Sequence, residues 1–176
     1  MSRLQKLTLS ALFLALAYVM PFLTGQIPEI GAMLCPMHIP VLLCGFVCGW
    51  PWGLTVGFLA PLLRSLLTGG FPPMFPTALC MAFELAAYGA VCGALHSILP
   101  RKRAYIYCSL IAAMLLGRAV WGAAMFACMG LSGGSFTFAA FLAGAFANAI
   151  PGIIVQLVLV PVLVMLIDKE RLGARR

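Results

Sequence analysis

Tyr105-Ile-Tyr-Cys-Ser-Leu-Ile-Ala-Ala-Met-Leu-Leu-Gly-Arg-Ala-Val-Trp-Gly-Ala-Ala-Met-Phe-Ala-Cys-Met129 is a run of 25 residues with a single charge, Arg118, near its centre. A bilayer crossing takes about 20 apolar residues, so this stretch reads as a membrane helix with a cation inside it. Arg101, Lys102 and Arg103 stop it on one side, and Gly130-Leu-Ser-Gly-Gly-Ser135 turns the chain on the other. The remainder of the chain repeats the pattern. Of its 176 residues 64% are apolar and 9% charged, against about 25% charged in an average soluble domain. Mean hydropathy is +1.10. So little polar surface excludes both a soluble domain and a disordered chain.

Proline, glycine and charge cut the sequence into six apolar segments, at about 7–24, 37–50, 52–68, 77–99, 105–129 and 136–167. The sequence therefore predicts an all-α integral membrane protein. It is a single domain over 1–176, a compact bundle of six transmembrane helices. The last segment is over-long for one straight crossing, and Pro151 and Pro161 are placed to kink it. The chain carries 11 Lys and Arg against 4 Asp and Glu, a net charge of +7. Nine of those cations flank the spans: Arg3 and Lys6, the basic triplet, and Lys169, Arg171, Arg175 and Arg176. With six spans all nine fall on one side, so positive-inside topology predicts cytoplasmic N- and C-termini in the cell membrane. The charge thus speaks for the bilayer and against nucleic acid. Met1–Phe22 has the basic start and apolar run of a signal peptide, but more membrane follows, and a retained first helix is expected.

No enzyme signature is present: no nucleophile elbow, His-Glu-x-x-His, Walker A or paired aspartates. The chain has no channel filter motif and no convincing inverted repeat, and no length remains for an ATPase. The seven cysteines lie mostly inside apolar runs, where a thiol acts as a small hydrophobe. No metal or cofactor is expected. Two ladders of small residues, Gly45, Gly49, Gly53, Gly57 and Ala140, Gly144, Asn148, Gly152, suit close helix packing within the bundle.

The informative residues are polar groups at membrane depth. At 1.5 Å per residue, Arg64 lies roughly 8 Å from the outer end of its span and Glu84 roughly 10 Å. Arg118 and Asn148 lie roughly 17 Å down, and His38 opens its span at the outer surface. A charge in hydrocarbon costs several kcal/mol, so such residues face a cavity or a partner. Glu84 can neutralise one arginine as a structural ion pair, and a second arginine then has no acid. Arg presents a planar fork to a carboxylate or phosphate. The five residues therefore predict an outward-opening pocket for a small anionic or zwitterionic solute, with Trp121 as a wall. Gly69-Gly-Phe-Pro-Pro-Met-Phe-Pro76 is too rich in Gly and Pro for a regular helix. Phe71, Met74 and Phe75 equip it as a lid.

Ala11-Leu-Phe-Leu-Ala15 and the block Met37–Gly49 with Gly57–Pro76 resemble the S-components of energy-coupling factor (ECF) vitamin transporters. The resemblance spans essentially the whole chain and lies nearest the pantothenate-linked branch. It implies a vitamin-binding membrane subunit that docks onto a T-component with two cytoplasmic ATPases. It also implies that Ala11 and Ala15 meet the T-component and that loops 25–36 and 69–76 gate the vitamin. Pantothenate suits an arginine-bearing pocket. Cobalamin or another vitamin, and a stand-alone carrier without ATPases, are the alternatives.

Overall fold

The computed structural model describes residues 1–24, 34–100, 102–133, 137–145 and 149–173. Among them the chain is all helix: α1 Arg3–Val19, α2 His38–Cys48, α3 Trp50–Leu67, α4 Leu79–Ile98, α5 Arg103–Leu131, α6 Phe138–Ala145 and α7 Ile150–Gly173. Ser2 caps α1, its hydroxyl accepting from the Gln5 N–H at 3.2 Å while Gln5 Oε1 accepts from the Ser2 N–H at 2.8 Å. A 3₁₀ turn, Met20–Thr24, extends α1, and a π-helical turn, Met74–Ala78, leads into α4. Gly49, at φ +98°, makes the sharp corner between α2 and α3, and Pro51 sits in the first turn of α3, where its missing N–H costs nothing. Among the described residues four stretches are long and apolar enough to cross a membrane: Arg3–Phe22, Met74–Ile98, Arg103–Leu131 and Ile150–Asp168.

α4 is the centre of the bundle and packs on α2, α3 and α5. Glycine sets its distance from α3. A Cβ on Gly53 would sit 2.6 Å from the Gly89 carbonyl oxygen and 2.7 Å from the Gly45 Cα, so only hydrogen fits there. The Gly45–Gly57 ladder is thus an intrachain packing seam. α1 lies on α2 and α3, α7 on α2 and α5, and α6 on α5.

One end of the bundle gathers two of the basic segments. The Cys44 thiol donates to Ser10 Oγ at 3.6 Å, setting the middle of α1 against the middle of α2. Phe46 meets His96 edge-on at 5.1 Å, and His96 Nε2 lies 3.8 Å from Asp168 Oδ2. The ends of α2, α4 and α7 therefore meet there, and α5 starts beside them.

Two features depart from the sequence expectation. The segment expected as one span over 136–167 is two helices, α6 and α7, with Pro151 as the second residue of α7. Proline has no N–H to continue a helix and is tolerated in a first turn, so α7 starts afresh there. The second departure is α2. With 11 residues it is about 16 Å long, half a membrane. His38 opens α2 buried within the bundle, 2% exposed.

Candidate functional site

Three helices bring charged side chains to one buried point. Arg118 leaves the middle of α5, Glu84 the second turn of α4, and His38 the start of α2. Arg118 Nη1 lies 2.9 Å from Glu84 Oε1, and His38 Nε2 lies 3.6 Å from the same oxygen. Tyr88, one turn along α4, sets its ring edge-on to His38 at 5.0 Å and 84°. Gly117, beside Arg118, leaves room for that ring: a Cβ there would stand 2.7 Å from Tyr88 Cδ2. Cys35 Sγ lies 3.8 Å from Arg118 Nη2.

The cluster keeps hydrogen-bonding capacity in hand. Both ring nitrogens of His38, Glu84 Oε1 and Arg118 Nε are buried without a hydrogen-bond partner among the described residues. The Arg118–Glu84 contact is close enough for an ion pair but lacks the alignment of a hydrogen bond. A buried polar group left unsatisfied costs about 1–3 kcal/mol, and several together suit a site whose remaining partner is a solute.

Arg64 stands apart from this cluster. It is 5% exposed and has no ion pair among the described residues. Its Cζ lies 6.0 Å from the centroid of Phe71, in the segment after α3. The same turn anchors that segment. The Thr68 hydroxyl bridges the carbonyls of Arg64, at 2.6 Å, and Phe71, while the Gly70 N–H donates to the Ser65 carbonyl at 2.8 Å. Ser65 Oγ is buried and unpartnered among the described residues. Phe71, Met74 and Phe75 are exposed. Gly57 abuts the Leu85 backbone. Arg64, seven residues further along α3, therefore stands about 10 Å nearer the Gly69–Pro76 end than Glu84 does.

The family model for the ECF transporter substrate-specific component matches residues 5–164. The chain belongs to that family. It is the substrate-specific subunit of an ECF importer, a multi-pass membrane protein that works with a T-component and ATPase subunits and performs transport, not catalysis. No curated protein and no solved structure matches the chain.

Of the site residues expected from sequence, this substrate-specific component brings His38, Glu84 and Arg118 together and holds Arg64 above them. Trp121 stacks on Phe141 of α6 at 6.3 Å and 26°, and it leaves space only for hydrogen at Gly144, whose Cβ would lie 2.8 Å from Trp121 Cη2. Asn148 and most of the loop 25–36 lie outside the described residues. Ala11 and Ala15 are exposed, while Ser10, Phe13 and Ala17 form the buried face of α1. Tyr88, Cys35 and Gln156 were missed. Gln156 carried a readable signal, a lone amide in the apolar run 150–167.

Proposed function

We propose that this component binds one small organic anion from the outer face of the cell membrane, with pantothenate the best candidate. In this reading α1–α7 make six crossings, α6 and α7 sharing the last, with both termini cytoplasmic on the positive-inside rule. One observation supports the substrate's sign: of two buried arginines, Arg118 has Glu84 beside it and Arg64 has no acid among the described residues. A carboxylate brought by the solute supplies the missing charge, and Phe71 covers it from the lid. Pantothenate fits because its amide and hydroxyl groups suit His38, Glu84 and Asn148. Thiamine, a cation, calls for a more acidic pocket, and cobalamin for a wider mouth.

Uptake of labelled pantothenate into proteoliposomes holding the chain with its T-component and two ATPases tests the proposal. Uptake should require ATP and stop when the ATPases are inactivated. Uptake that persists without them would make the chain a stand-alone carrier. A purified chain that binds cobalamin or thiamine, and not pantothenate, would reassign the vitamin.

A further inference from the structure

Gln156 is accounted for by neither the charged cluster nor the lid. It is 1% exposed, and its Oε1 has no hydrogen-bond partner among the described residues. With Gly152, Val160 and Val164 it forms the inward stripe of α7, every fourth residue. The helices that α7 packs on, α2 and α5, carry His38 and Arg118. Its depth follows from the basic end, where His96 and Asp168 stand 3.8 Å apart and put α4 and α7 in register. Both helices run toward that end. Glu84 precedes His96 by the same twelve residues that separate Gln156 from Asp168, about 18 Å of rise in each helix. Gln156 is therefore level with Glu84.

We propose that Gln156 is the neutral pole of the substrate site. The substrate is then a monocarboxylate with an uncharged hydroxyl or amide donor about 10 Å from its carboxylate. This rests on the reading of Arg64 as the carboxylate's partner. Charge balance selects the class. An ammonium group would need a spare acid, and Glu84, the buried acid among the described residues, already faces Arg118. That removes zwitterions and cations. Gln156 Oε1 accepts a hydrogen bond from a hydroxyl or amide N–H and adds no charge of its own. The lower end of the solute is thereby read by shape and hydrogen bonding, its upper end by charge.

The test measures melting temperature without solute, and then affinity for pantothenate, pantothenol, β-alanine and thiamine, on the full chain in lipid nanodiscs. Gln156→Met keeps the side-chain length and removes both hydrogen-bonding atoms. It should melt at or above the parent temperature, since a buried amide oxygen with no partner among the described residues has gone, and bind pantothenate about 5- to 20-fold more weakly. Pantothenol, in which an alcohol replaces the carboxylate, should bind the parent more weakly than pantothenate. It should lose the same factor in Gln156→Met, because the amide reads the opposite end. Gln156→Glu should weaken pantothenate binding more than Gln156→Met does, by placing a like charge in the site. A Gln156→Met chain that melts lower and binds pantothenate unchanged would make the amide a packing residue and overturn the proposal. So would a parent chain that binds no carboxylate probe, or that prefers β-alanine or thiamine. ATP-driven uptake of thiamine would overturn the substrate class and leave the importer intact. Tight pantothenate binding without ATP-driven uptake would do the reverse.

Discussion

Arg64 and Arg118 look alike in sequence, each a lone cation in an apolar run, and the fold separates them by what stands beside them. Arg118 has Glu84 at 2.9 Å, whereas Arg64 has an aromatic ring and no acid among the described residues. Their truncations should therefore fail differently. Arg118→Ala leaves Glu84 buried and uncompensated, a loss of about 3–5 kcal/mol, to be seen as a large drop in melting temperature of the solute-free chain. Arg64→Ala removes a cation and leaves no acid stranded among the described residues. It should melt near the parent temperature and bind pantothenate about 10- to 100-fold more weakly in titration calorimetry, the worth of a charge-assisted hydrogen bond. Equal melting losses in the two variants would refute this division. That both arginines and Glu84 would be buried was legible from their cost in hydrocarbon. Which arginine meets the acid was not, because partner choice depends on which helices are neighbours, and helices apolar all round carry no facing signal.

The helices themselves were legible from length, proline and charge, with two exceptions that share a cause. An apolar run shows that a segment is in the membrane but not where within it a helix starts. So the sequence placed His38 at the surface, when it is buried in the bundle beside Glu84, and it joined α6 to α7. The glycine seam was readable from its four-residue spacing, and it makes a sharp comparison. Gly53→Ala, with backbone 2.6 Å away, should destabilise the bundle by about 1–3 kcal/mol. Gly130→Ala, with nothing within 4 Å, should be neutral or slightly stabilising. Thermal melts of the two in the same lipid check this. The segment 69–76 is proposed as a lid. Gly69 and Gly70 have φ of +69° and +93°, where side chains are strained, and the Gly70 N–H and the Thr68 hydroxyl tie the segment to the Arg64 turn. Saturating pantothenate should slow amide hydrogen exchange over 69–76, while exchange at the α4–α3 seam stays unchanged. Identical exchange in the lid with and without pantothenate would make it a static connector.

For the molecule as a whole, the proposed binding site and the proposed docking face lie apart. The site lies inside, between α2, α4, α5 and the end of α3, while Ala11 and Ala15 point away from the core on α1. Small residues on an outward face admit another helix at close range. Ala11→Trp with Ala15→Trp should therefore leave melting temperature and pantothenate affinity unchanged, yet abolish co-purification with the T-component. Loss of affinity in that double variant would mean the face packs within the monomer. The membrane character came from composition alone. The half-length helix and the neutral pole at Gln156 needed the packing of α7 against α2 and α5. Mass spectrometry of what the full chain retains through mild purification, run beside Arg64→Ala, bears most directly on how the site works. The parent should carry an organic monocarboxylate at near one per chain, and Arg64→Ala should arrive empty. A cation, a zwitterion, or full retention of the acid by Arg64→Ala would contradict a site built around an uncompensated arginine.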